Sequence, residues 1–154
     1  MKWGKLVLSL LMTLAVGAIA GIATSKNVAT WYPELNKPSF NPPNTVFAPV
    51  WTVLYIFMGI SLYLIWRLPV SITRNGAMRL FFVQLALNFI WSFLFFEWHL
   101  IGWALADIIL LLLVIITCIM SFSRINKVAA WLFVPYLAWV GFATALNIVI
   151  YRLN

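Results

Sequence analysis

Residues 80–122 form a run of 43 positions without one lysine or arginine. A bilayer core about 30 Å thick needs roughly 20 apolar residues of helix to cross it, so this run is twice too long for a single crossing. Its polar interruption gathers at Glu97, His99 and Gly102, and the run is expected to fold back there as a tight helical hairpin, 80–98 and 100–122. Three more apolar runs of spanning length complete the set, at 6–24, 45–66 and 128–151. Pro49 falls in the first turn of the second run, where a missing N–H costs least, and Pro135 is expected to kink the last. Irregular backbone at that depth leaves N–H and C=O groups unpaired, so helices are the only economical form. The predicted fold is an all-α membrane protein, one domain over 1–154 made of five transmembrane helices.

Composition excludes the other classes. Charged residues are 8% of the chain and hydrophobic ones 65%, against about a quarter charged in soluble domains; disorder would need the opposite balance. Cys118 is the only cysteine and His99 the only histidine, so neither a disulfide framework nor a multi-histidine metal site is available, and no cofactor is required. One histidine and three dispersed acids build no hydrolytic triad. The net charge of +7 comes from basic residues scattered through the connections, which form no nucleic-acid-binding stripe. They sort by side instead. Lys2, Lys5, Arg67, Arg74, Arg79, Arg124 and Lys127 lie at one end, and Lys26, Lys37 and Arg152 at the other. This asymmetry predicts a cytoplasmic N-terminus, with loop 25–44 and the C-terminus outside; the membrane expected is a bacterial plasma membrane. The first run also carries a signal-peptide-like Ala18-Ile19-Ala20 triplet, but its apolar stretch exceeds a usual signal core and is read as a retained span.

The first connection is the long one, and it reads WYPELNKPSFNPP from Trp31 to Pro43. Four prolines stiffen it and three aromatics give it surface to bury, so an ordered lid over the helix ends is expected rather than an interfacial anchor.

Helical spacing places Phe47, Trp51, Leu54 and Met58 on one stripe of the second span, and Gln84, Asn88, Trp91 and Phe95 on one of the third. The fourth offers Trp103, Asp107 and Leu110, and the fifth Tyr136, Trp139, Ala143, Leu146 and Asn147. Gln84, Asn88, Asp107 and Asn147 are costly in lipid and should face the interior or one another. Aromatics with a few convergent polar groups suit a flat apolar ligand, with Ala143 leaving room for it; the same stripes also suit a bundle whose aromatics simply fill space. Asp107 is read as a structural partner of an indole N–H, an amide or a base, with proton carriage as the alternative. Gly17 and Gly21 permit close helix contact, either between two copies or within one bundle.

The motifs WYPELNKPSFNPP, APVWTVLY (48–55), LALNFIW (85–91), GWALAD (102–107) and PYLAWVGFATALN (135–147) occur in order along nearly the whole chain. In these the sequence resembles the TspO/MBR family, known as translocator proteins, peripheral-type benzodiazepine receptors or tryptophan-rich sensory proteins. The resemblance implies a five-helix bundle in membrane lipid, a pocket roofed by the first loop and, in many members, a homodimer. It implies binding of porphyrins and hydrophobic drug-like ligands through Tyr32, Ala48, Trp51, Asn88, Trp103, Trp139, Ala143 and Leu146. The sterol-recognition pattern of vertebrate members fails at the end of the fifth span, where Tyr151 abuts Arg152 without a spacer. It does match at Val28, Tyr32 and Lys37 inside the proline-rich loop, which shows how loose it is and leaves sterol binding without support.

The first functional reading is therefore a membrane protein that binds a metal-free tetrapyrrole such as protoporphyrin by burial and stacking on Trp51 and Trp139. A second adds light-dependent porphyrin degradation, implied by bacterial relatives, with Trp51 and Trp139 as the catalytic indoles. A third is transport of porphyrin or another hydrophobic small molecule; five spans without an internal repeat fit it less well.

Overall fold

The computed structural model describes residues 2–154. Six α-helices, Lys2–Val28 (α1), Phe47–Trp66 (α2), Ile72–Ser92 (α3), Ile101–Ser123 (α4), Lys127–Leu132 (α5) and Val134–Leu153 (α6), build five membrane-spanning segments. The fifth span is the pair α5 and α6. They part at Phe133 because Pro135 has no N–H to offer the Trp131 carbonyl. The third span starts at Ile72, eight residues before the apolar run predicts. Ser71 caps it by accepting from the Arg74 N–H at 3.0 Å, while the Arg74 guanidinium donates to the Trp66 carbonyl at 2.9 Å. A charge at the membrane surface thus joins a helix that the hydropathy pattern ends too soon. Likewise α1 continues to Val28 and carries Lys26 in its last turn, where a cation suits the helix dipole.

Around the bundle α1 lies against α2 and α3, α2 against α5, and α4 against α3, α5 and α6. Glycines let α1 and α2 touch. A Cβ on Gly59 would stand 3.0 Å from the Leu10 Cα and 2.9 Å from the Thr13 hydroxyl, which itself donates to the Tyr55 carbonyl at 2.8 Å. A Cβ on Gly17 would stand 2.5 Å from the Tyr55 ring, so this glycine seats α1 within its own bundle. On α4 the buried face is Ala104, Ile108, Leu111, Ile115, Cys118 and Phe122. The exposed apolar side chains of the molecule, such as Leu11, Leu113, Met120 and Trp131, form the lipid-facing surface expected of a membrane protein.

The two ends of the bundle differ. At the lysine- and arginine-rich end Phe133 meets Phe122 edge to face and Phe81 at a tilt, and all three are 1% exposed or less. At the lid end the third span closes in a π-helical turn, Phe93–Glu97, with the Trp98 N–H donating to the Phe93 carbonyl at 2.8 Å. The extra residue turns both Phe95 and Phe96 inward, an effect for which π-turns at functional sites are known. His99 then reverses the chain at φ 57°, the only positive φ of a non-glycine among the described residues.

Candidate functional site

Loop residues 29–46 bring Tyr32 down onto the bundle. It heads a short 3₁₀ turn, Tyr32–Glu34; its ring is 3% exposed and meets Phe47, Phe95 and Phe96. Its hydroxyl donates to Asn41 Oδ1 at 2.7 Å. Burial pushes the phenol up to about 12, partly opposed by that hydrogen bond. The Lys37 ammonium holds the loop from within, donating to the carbonyls of Tyr32 at 2.9 Å and Leu35 at 3.0 Å and lying 4.9 Å over the Tyr32 ring. Two further ties anchor it. The Asn36 N–H donates to Asn154 Oδ1 at 3.2 Å, and Asn154 Nδ2 donates to the Asn36 carbonyl at 3.0 Å. On the other side Trp31 stacks on His99. The loop is thus the ordered lid that its prolines and aromatics predict.

Beneath Tyr32 lies an aromatic pocket. Trp51, Trp91, Phe95, Phe96 and Trp139 surround it, with Ala143, Leu146, Asn147 and Ile150 of α6 completing the wall. Its free volume is about 40 Å³, room for water rather than for a drug-sized ligand. Trp91 and Phe95 stack at 5.3 Å, and the Trp91 indole donates to Asn147 Oδ1 at 3.1 Å. Trp139 Nε1 is buried without a hydrogen-bond partner among the described residues.

A lateral crevice adjoins the pocket between α1 and α2. Ala18, Gly21 and Thr24 face Ala48, Trp51 and Tyr55 across about 400 Å³ of open space. That volume lies within the range of small-molecule sites. Among the described residues no atom comes within 4 Å of a Cβ built on Gly21, so the small residues of α1 create the opening here. Thr24, Phe47, Trp51 and Trp91 line both spaces, which makes them the boundary between the bilayer side and the pocket.

Deeper in the bundle a hydrogen-bonded chain crosses three helices. The Tyr55 hydroxyl donates to Asn88 Oδ1, Asn88 Nδ2 donates to the Tyr136 hydroxyl at 2.9 Å, and Tyr136 donates to Gln84 Oε1 at 2.8 Å. All four residues are 4% exposed or less. Trp51 packs on the rings of both Tyr55 and Tyr136, so this chain supports the pocket's central indole from below.

Tyr32, Trp51, Trp139, Ala143 and Leu146 therefore come together at the pocket, and Ala48 joins Trp51 in the crevice. Asn88 lies in the supporting chain and lines neither space. Trp103 stands apart: it is 70% exposed on the outer face of α4, in a shallow groove with Gly102, Ala106 and Tyr151. Trp103 and Leu110 point outward because Ala104, Ile108 and Leu111 take the inner face, where small Ala104 lets α4 approach. Asp107 stands at the edge of that face, half-buried, with its Oδ2 buried and without a hydrogen-bond partner among the described residues, so the expected structural pairing is not formed. Gln84, Asn88 and Asn147 do face the interior. Spacing misses Phe96, which only the π-turn brings in, and His99, whose role in holding the lid depends on contacts distant in sequence. Among the described residues no group of three or more His, Cys, Asp or Glu is placed to hold a metal ion.

Comparison with known proteins agrees with the architecture. The sequence profile of the TspO/MBR family matches residues 9–152. A tryptophan-rich protein TspO of Archaeoglobus fulgidus is 43% identical over 97% of both chains. The translocator protein of Homo sapiens is 39% identical, covering 80% of this chain and 75% of its own. The tryptophan-rich sensory protein of Cereibacter sphaeroides is 35% identical over 100% of this chain and 94% of its own.

Proposed function

The chain belongs to the TspO/MBR family, and we propose that it is a membrane receptor for a flat, largely apolar ligand, a metal-free tetrapyrrole such as protoporphyrin or a drug-like aromatic, taken up sideways from lipid. The observation that carries this is Trp51, which lines both the crevice and the pocket. A planar ring entering between α1 and α2 meets the indole of Trp51 first, and stacking there adds about 0.5–1.5 kcal/mol to the burial of its surface. The crevice has space for such a body, whereas the inner pocket must widen by moving Phe47, Trp91 or Trp139. The aromatic plug of Phe81, Phe122 and Phe133 at the other end favours exchange with lipid over passage along the bundle axis. On the same reading the N-terminus is cytoplasmic, and a homodimer would use outer faces other than that of Gly17, already occupied by Tyr55.

Light-driven loss of bound porphyrin is a second reading, favoured by the presence of two indoles, Trp51 and Trp139, on one pocket. The porphyrin would supply the photochemistry and the protein the orientation. One experiment separates these readings: titrate the solubilised protein with protoporphyrin in the dark, following tryptophan emission and the porphyrin absorption band, then illuminate. Saturable quenching without loss of the band supports a receptor. Protein-dependent loss that disappears in a Trp51→Phe, Trp139→Phe variant while binding persists supports turnover. Absence of saturable quenching overturns the tetrapyrrole assignment.

A further inference from the structure

At the end of the bundle opposite the lid, a groove of about 390 Å³ runs along the outer surface between α4 and the broken fifth span. Ile119, Ala130 and Val134 give it an apolar floor, Trp131 forms a wall, and Ser123 and Lys127 stand at its mouth. Lys127 and Trp131 are one helical turn apart on α5, so ammonium and indole share a face. Both are exposed, as is Arg124, the residue that follows α4. The break at Phe133, imposed by Pro135, lies beside this groove and separates the short α5 from α6.

The charge around it is of one sign. All three acids of the chain lie elsewhere: Glu34 in the lid, Glu97 at the lid-end hairpin, and Asp107 in the first turns of α4. Of the cations at this end, Lys5 and Arg74 donate to the Trp66 carbonyl and Arg67 lies over the Tyr63 ring. The side chains of Arg124 and Lys127 donate no hydrogen bond among the described residues.

We propose that this groove is a binding site for an anionic phospholipid of the adjacent leaflet, its phosphate held between Arg124 and Lys127 and an acyl chain lying over Ile119, Ala130 and Val134. Lipid covers this surface in any bilayer, so a groove here is filled by acyl chain. What the protein adds is selection of the headgroup. Two exposed cations at the connection between α4 and α5, neither donating a hydrogen bond among the described residues, favour a negatively charged lipid, and Trp131 lies one turn beyond Lys127, where an indole is a natural interfacial anchor. The proposal is independent of the pocket at the lid end and of what binds there.

The test uses the full chain in phosphatidylcholine vesicles containing about a fifth phosphatidylglycerol, with bromine on the acyl chains of one lipid or the other. The emission of Trp131 is read as the difference between the protein and its Trp131→Phe variant. Brominated phosphatidylglycerol is expected to quench Trp131 as though its affinity for the groove were on the order of ten-fold that of phosphatidylcholine, an enrichment of roughly three- to four-fold over its bulk fraction. Arg124→Gln with Lys127→Gln removes that enrichment. Arg79→Gln, an exposed cation at the same end but off the groove, leaves it intact. Equal quenching by the two brominated lipids overturns the proposal, and so does an equal loss of enrichment with Arg79→Gln, which would mean a diffuse field rather than a site. Trp131 unquenched by either lipid, in protein that crosslinks as a dimer through α5, would assign the groove to a second copy of the chain.

Discussion

His99 lies flat on Trp31, with ring centroids 3.9 Å apart and planes 8° from parallel. The two residues belong to the hairpin between α3 and α4 and to the lid, so the stack clamps one to the other. A hydrogen bond fixes the clamp to α1: His99 Nε2 lies 3.0 Å from Asn27 Oδ1. Because Asn27 Nδ2 already donates to the Ala23 carbonyl, Oδ1 must accept and Nε2 carries the proton. The left-handed conformation of His99 is what aims the ring at Trp31, and it persists because the surrounding contacts over-determine it.

Removing the imidazole should therefore loosen the lid without harming the turn. His99→Gly suits the positive φ and deletes only the stack and the bond to Asn27. Loss of about 1 kcal/mol of stacking predicts a ligand off-rate raised about five-fold, with helix content unchanged. Stopped-flow release of a fluorescent drug-like ligand measures it, and an off-rate equal to that of the parent protein would show that the clamp does not hold the lid.

Filling the crevice should block access while leaving the bundle stable. Gly21→Phe starts a side chain at a Cβ that no described atom approaches within 4 Å and sends its ring into the crevice, and is expected to lower porphyrin affinity at least ten-fold with the thermal midpoint within a few degrees of the parent. Gly59→Val is the contrasting case. Its side chain would strike the Leu10 backbone, and overpacking of that kind costs about 1–3 kcal/mol, which should appear as a lowered thermal midpoint in detergent.

The buried chain makes a prediction about strength. Tyr136→Phe leaves both Asn88 Nδ2 and Gln84 Oε1 without their partner, and each buried polar group so orphaned costs about 1–3 kcal/mol. Asn88→Leu should be similarly destabilising through Tyr55 and Tyr136. The double variant Tyr136→Phe with Gln84→Leu should recover part of the loss, since removing both ends of a buried hydrogen bond costs less than removing one; thermal unfolding of all three variants checks the coupling.

Tyr32 gives the lid a dependence on alkaline pH. Its phenol is pushed up to about 12 from an unfolded value near 10. The folded lid therefore holds the proton more tightly than the open one, so this contribution is fully present below about pH 10 and is lost as pH rises towards 12. The 295 nm absorbance difference between the protein and Tyr32→Phe should show a tyrosine titrating near 12, and a midpoint near 10 would place Tyr32 in water.

Much of this protein was legible without coordinates. The number of spans follows from apolar runs measured against a fixed bilayer thickness, and the lid follows from a loop whose prolines and aromatics favour order. The inward stripes of α2, α3 and α6 follow from helical periodicity, and on α3 and α6 they are marked by polar groups that lipid would penalise.

What periodicity does not specify is rotation and local irregularity. On α4 two stripes one residue apart are both apolar, and packing against small Ala104 decided that Trp103 and Leu110 face outward and Ile108 and Leu111 inward. The π-turn at Phe93–Glu97 shifted the register by one residue and added Phe96 to the pocket. The size of the pocket, the crevice beside Gly21 and the His99–Trp31 clamp all depend on side chains far apart in sequence meeting at fixed distances. Sequence alone determines which surfaces must leave water, since that is a property of each segment's own composition. Which of those surfaces meet each other, and what space remains between them, is a property of packing, and only the tertiary structure decided it.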